Sequence, residues 1–109
     1  MIMPAGLLLA IAIVAEVSAT VSLRLAEGFT RLVPSAVVVI GYGISFWMLA
    51  LVLQRLPVGL TYAVWSAAGT ALIAAIGIFA FGEGATTLKL ASLALIIMGV
   101  VGLNVASTH

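Results

Sequence analysis

The sequence predicts an all-α membrane protein of four transmembrane helices, and three observations carry that prediction. Of the 109 residues, 65% are hydrophobic and 6% are charged, and the mean hydropathy is +1.42. A water-soluble domain of this length keeps too much surface exposed to hide so many apolar side chains. The apolar residues also fall into four stretches, each of the length, about 20 residues, that carries a helix across about 30 Å of hydrocarbon. Every Lys, Arg, Asp and Glu except Glu16 lies in or at the edge of the connections between them, beside the Gly and Pro that mark turns. Strands of a membrane barrel would alternate polar and apolar residues over about ten positions, and no stretch does. Residues 1–109 are therefore read as a single four-span transmembrane domain.

The first span is placed at about residues 6–23. No basic region precedes it and its apolar run continues past signal-peptide length, so it is expected to be retained. Glu16 interrupts it. The second span, about 34–53, opens on Pro34, which is tolerated in the first turn of a helix where backbone N–H groups have no partner anyway. It carries Gly41, Tyr42, Gly43, Ser45, Phe46 and Trp47. The third, about 58–81, follows Pro57 and places Tyr62, Trp65, Ser66 and Gly69 on one face, at i, i+3, i+4 and i+7. The fourth, about 88–106, repeats Ala91, Ser92, Leu95, Gly99 and Gly102 at helical spacing. Small residues there allow close approach of a second helix, as in a dimer, but are also common in any transmembrane helix. Asn104 is expected to bond across helices or cap the span, and His109, the last residue, is assigned no role.

Charge and composition exclude several classes. A net charge of +1 offers neither a nucleic-acid footprint nor a polybasic lipid patch. The absence of cysteine excludes disulfides and thiolate metal sites. No nucleophile with its base, no metal-ligand cluster and no phosphate-binding loop is present, so neither catalytic residues nor a cofactor nor a metal site is expected. Arg24, Arg31 and Lys89 fall on one side of the membrane and Arg55 on the other with the amino terminus. That bias orients the chain weakly, which is compatible with one orientation or with both.

Glu16 is the leading candidate. An ionisable group inside a span is costly, usually faces protein, and tends to mark an ion or substrate path. Ala12, Ala19 and Thr20 lie at i−4, i+3 and i+4, so the carboxylate sits in a stripe of small residues with room for a ligand or another helix. Such a group can hold a proton or attract a cation, but not both at full strength. Its alternative is a structural carboxyl bonded to a neighbouring helix. Tyr62 and Trp65 are read either as cation-binding aromatics, through cation–π attraction of about 0.5–2 kcal/mol, or as packing or interface residues. Tyr42 is expected to pack, to bond Glu16, or to stack on a ligand. Four helices make a bundle too thin to shield Glu16 and enclose a path, so a second copy is expected.

The segment Ala15-Glu16-Val17-Ser18-Ala19-Thr20, the loop Glu27-Gly28-Phe29-Thr30-Arg31-Leu32 with Pro34-Ser35, and Tyr62-Ala63-Val64-Trp65-Ser66 together resemble the small multidrug resistance family. The resemblance covers essentially the whole chain. It implies a proton-coupled antiporter of the bacterial inner membrane, exporting cationic compounds as an antiparallel homodimer, with a heterodimer of paralogues as the variant. It implies that Glu16 binds protons and substrate in competition, and that Trp65, Tyr62 and Tyr42 supply the aromatic walls. Ala12, Ala19, Thr20, Ser45 and Ser66 would line the site, and Ser92, Leu95, Gly99 and Gly102 would make dimer contacts. Guanidinium exporters of the family typically have tryptophan where this chain has Ala19. With Tyr42, that residue resembles the quaternary-ammonium and multidrug branch, whereas Ala67 and residues 90–96 look closer to guanidinium exporters. A guanidinium exporter and a non-transporting membrane assembly subunit are the competing readings.

Overall fold

The computed structural model describes residues 3–107, so His109 lies outside the described residues. Four helices follow in order: α1 (Ala5–Leu25), α2 (Leu32–Val52), α3 (Val58–Ala80) and α4 (Thr87–Ser107). No strand occurs among the described residues. At 1.5 Å per residue a helix of 21 residues spans about 30 Å, and all four are long and apolar enough to cross a membrane. Helix is the natural answer in lipid, because it satisfies every backbone group within its own segment.

Boundaries differ from the sequence reading by one or two residues, for local reasons. α1 continues to Leu25, which brings Arg24 into the last turn, where a cation suits the negative end of the helix dipole. α2 starts at Leu32, so Pro34 is its third residue and lacks an N–H that would have no helical partner. Pro57 is the N-cap of α3. α4 is capped by Thr86, whose Oγ1 accepts the Lys89 backbone N–H at 3.1 Å.

The connections are short and internally bonded. Between α1 and α2, Glu27, Gly28 and Phe29 take φ of 48°, 72° and 66° in succession. Left-handed backbone costs an ordinary residue about 1–2 kcal/mol, and here the turn lets the Ala26 carbonyl accept the N–H groups of both Thr30 (2.9 Å) and Arg31 (3.2 Å). At the opposite end of the pair, the Arg55 guanidinium donates to the carbonyl of Met3. After α3, Gly82 at φ +68° turns the chain so that the Glu83 N–H reaches the Gly77 carbonyl at 3.0 Å.

The helices associate as two hairpins, one ending at Leu56 and the other beginning at Pro57. In the first, α1 packs along α2. They approach tightly at Gly41, where a Cβ would fall 2.9 Å from Ala19 Cβ and 3.1 Å from the Ala15 carbonyl oxygen. Near the same interface the Ser45 hydroxyl, fully buried, donates to the Ala12 carbonyl at 2.7 Å. In the second, α3 meets α4 over a smaller face. Thr61, Ala67, Gly69 and Gly77 are buried on α3, whereas no described residue of α4 is.

Candidate functional site

Glu16 is the twelfth residue of α1 and so sits about halfway along the span. Its side chain is half-buried. One turn later on the same face, where helical i and i+4 residues meet, the Thr20 hydroxyl donates to Glu16 Oε1 at 3.0 Å. The same hydroxyl oxygen lies 2.7 Å from the Tyr42 hydroxyl on α2. A threonine hydroxyl has one hydrogen and two acceptor positions. With that hydrogen committed to the carboxylate, Tyr42 is the donor of the second bond. The chain of bonds therefore runs Tyr42 to Thr20 to Glu16, with every hydrogen pointing towards the carboxylate. The Tyr42 ring stacks on Phe46 one turn along, with centroids 6.1 Å apart and planes 22° from parallel.

The hairpin thus brings together Glu16, Thr20 and Tyr42, but the contact between Glu16 and Tyr42 passes through Thr20. Ala12 and Ala19, the small neighbours of Glu16, have no exposed surface. Gly41 of α2 occupies the space beside Ala19, and Ser45 of α2 the space beside Ala12. Of the two possibilities for that stripe, a ligand or another helix, the helix fills it at these two positions. Ser45 has its hydrogen committed to the Ala12 carbonyl and is sealed from solvent. Among the described residues Glu16 has no cationic partner, and its bonding is to a neutral hydroxyl. A shallow apolar groove of about 300 Å³ on α1, lined by Ala10, Ile11, Val14 and Ala15, includes none of the candidate residues.

In the second hairpin, Tyr62 and Trp65 meet edge to face, with centroids 5.5 Å apart at 65°, a favoured aromatic geometry. Tyr62 is 60% exposed, Trp65 is half-buried and Ser66 is exposed. Thr61 on the same helix is fully buried, and its hydroxyl has no hydrogen-bond partner among the described residues. Such a group costs about 1–3 kcal/mol when left unpaired. On α4, Ser92, Leu95, Gly99 and Gly102 are all exposed. The Ser92 hydroxyl bonds back to the Leu88 carbonyl at 2.8 Å, and nothing lies within 4 Å of a Cβ built on Gly99 or Gly102.

Two residues that sequence reasoning passed over matter here. Gly41 sets the approach of α2 to the Glu16 helix, yet nothing in the sequence separates it from Gly43, beside which there is open space. Thr61 reads as an ordinary polar residue in the first turn of a span, and only its burial draws attention to it.

Comparison with known proteins is consistent along the chain. The profile of the Small Multidrug Resistance protein family matches residues 5–96. The chain is 50% identical over 105 residues to the quaternary ammonium compound-resistance protein QacE of Escherichia coli, covering 96% of each. It is 46% identical over 99 residues to the quaternary ammonium compound-resistance protein QacF of Klebsiella aerogenes, covering 91% of this chain and 90% of that one. It is also 44% identical over 98 residues to the multidrug resistance protein EbrA of Bacillus licheniformis, covering 90% and 93%.

Proposed function

The chain belongs to the small multidrug resistance family, on its quaternary-ammonium and multidrug branch, and from that premise we propose that it is a proton-coupled antiporter exporting lipophilic and quaternary ammonium cations across the bacterial inner membrane. The observation that carries the reading is Glu16: a carboxylate halfway along a membrane span, half-buried, hydrogen-bonded to a neutral hydroxyl and without a cationic partner among the described residues. An ionisable residue at that depth is expensive to maintain and is a functional site by default. Uncompensated, it attracts either a proton or a cation.

Competition for that one carboxylate couples the two fluxes. A proton arriving from the proton-rich side displaces the drug; its loss to the cytoplasm restores the negative charge that binds the next cation. Trp65, Tyr62 and Tyr42 supply aromatic surface for the cation, and such surface selects by shape and charge rather than by directed bonds. The functional unit is an antiparallel homodimer, with access alternating by a rocking of the two copies around a site at the midplane, as inverted repeats do in other transporters. Ser92, Leu95, Gly99 and Gly102 lie on the helix that meets the second copy.

Packing at Ala19 supports the multidrug over the guanidinium reading. The tryptophan that guanidinium exporters carry at this place does not fit a position with no exposed surface, against which Gly41 is already packed.

The test is transport by the full chain reconstituted in liposomes with an imposed pH gradient. Glu16→Gln is expected to abolish proton-driven movement of a quaternary ammonium cation, while Glu27→Gln, in the exposed α1–α2 turn, leaves it intact. Transport persisting in the Glu16→Gln protein would falsify the coupling. Guanidinium assayed beside tetraphenylphosphonium in the same vesicles decides the branch's substrate.

A further inference from the structure

We infer that Thr20 is a positioning residue that reports the protonation state of Glu16 to the Tyr42 hydroxyl on the neighbouring helix. The inference rests on the reading of Glu16 as a proton site, and goes beyond it by assigning what the proton does to α2.

Hydrogens can be counted along the bonded side chains. The Tyr42–Thr20–Glu16 chain has two links, of 2.7 Å and 3.0 Å. With Glu16 ionised, the carboxylate is acceptor-only, so both hydroxyl hydrogens must point towards it and the two links are filled. Adding a proton to Glu16 supplies a third hydrogen for the same two links. A carboxylic acid O–H is a strong donor, and its oxygens are weaker acceptors than those of a carboxylate. The favoured arrangement then reverses: Glu16 donates to Thr20, Thr20 donates to Tyr42, and the Tyr42 O–H, its hydrogen still on its own oxygen, turns away from Thr20. Beyond the O–H bond formed on Glu16 by the added proton, only hydrogen bonds change, and that proton remains on Glu16.

Thr20 is suited to this because its hydroxyl is hydrogen-bonded to both ends. A hydroxyl is both donor and acceptor, and can reverse direction by rotating about a single bond. Its place one turn after Glu16 fixes the first link within α1, and the close approach of α2 at Gly41 fixes the second. The other titratable groups of the hairpin are Arg24, Glu27, Arg31 and Arg55, all in or beside the connections. Tyr42 is the one that the Thr20 hydroxyl reaches. A consequence is that the two cargoes are distinguished on α2. A quaternary ammonium cation has no hydrogen to give, so it leaves the chain pointing at Glu16, whereas a proton reverses it.

The experiment is carbon-13 NMR of the full chain in lipid bicelles, labelled at glutamate Cδ and tyrosine Cζ and titrated between pH 5 and 9. That range lies below the ordinary ionisation of tyrosine, near 10. Glu16→Gln and Tyr42→Phe assign the two signals. In the unmodified chain the Tyr42 Cζ signal is expected to move in step with Glu16 Cδ, sharing its midpoint. Thr20→Val, which keeps the branched shape and loses the hydroxyl, is expected to abolish the Tyr42 step while Glu16 still titrates, and Thr20→Ser to retain it. The Gly41 amide signal checks that the helices remain packed in each variant. A Tyr42 signal that ignores Glu16 in the unmodified chain overturns the inference without any Thr20 variant, and so does one that still follows Glu16 in a packed Thr20→Val protein. In both cases the proposed transport function stands. A Glu16 signal that does not move across the range overturns the proton site and the relay together.

Discussion

At the scale of single residues, the first hairpin depends on distinctions that composition does not express. Gly41 and Gly43 are two positions apart on α2, with the same residue type and the same apolar surroundings. A Cβ at Gly41 would meet Ala19 and the backbone of Ala15, and backbone cannot swing aside as a long side chain does; a Cβ at Gly43 meets nothing. Overpacking a tight contact costs about 1–3 kcal/mol. Gly41→Val is therefore expected to destabilise the protein by that amount, and to part Tyr42 from Thr20. Gly43→Ala is expected to be neutral or to stabilise by up to about 1 kcal/mol, through helix propensity alone. Unfolding in mixed detergent and SDS micelles measures both, and equal effects at the two positions would show that Gly41 is not the contact point. The prominence of Glu16 was legible in the sequence because a lone charge in an apolar span stands out without a fold. The roles of its small neighbours were not legible, since Ala12 and Ala19 have the same spacing whether a ligand or a helix covers them.

At the scale of elements, α4 differs from the others. It begins after a loop held by local bonds: Thr86 caps its first turn, and the Lys89 ammonium reaches back to the Gly84 carbonyl at 2.6 Å. With no buried residue among those described, this helix gains little from packing in the chain as it stands, so its terminus depends on the cap. Thr86→Ala is expected to cost about 1 kcal/mol, the usual worth of such a cap, and to appear first as faster hydrogen exchange at Lys89, whose N–H the Thr86 hydroxyl accepts. Unchanged exchange there would mean that water or a lipid headgroup satisfies that N–H as well as Thr86 does. Gly77 offers a contrast with Gly41. A Cβ there would fall 2.5 Å from the Glu83 carboxylate, but that side chain is exposed and flexible and can move aside. The helical stretches themselves were evident in the sequence to within one or two residues, because length and apolarity are local properties.

At the scale of the whole molecule, the proposed function turns on how copies of the chain would be arranged. The outward surface of α4, with Leu95 68% exposed, suits lipid as well as it suits a second helix, so apolarity does not select between them. Small residues at Gly99 and Gly102, with open space beside them, are what a close helix contact needs. The antiparallel dimer proposed above has a direct test, since the chain contains no cysteine. A single Thr30→Cys substitution in the α1–α2 turn places one label on one side of each copy. Given the weak charge bias between the two sides, about half of the protein is expected to react with an impermeant maleimide from each face of the membrane. Reaction from one face alone would rule out the antiparallel arrangement.

Residue composition read along the chain establishes the class, the four spans, the absence of cysteine and the position of the carboxylate in the membrane. The class, the spans and the prominence of that carboxylate follow from the cost of polar groups in hydrocarbon, which is set residue by residue along the chain. Packing of α1 on α2 is what puts Thr20 between Glu16 and Tyr42, seals Ala12, Ala19 and Ser45, and sets Gly41, not Gly43, against α1. Those outcomes depend on which faces meet and how closely. Small residues permit a close approach at many places along a membrane helix, and the packed hairpin uses one of them.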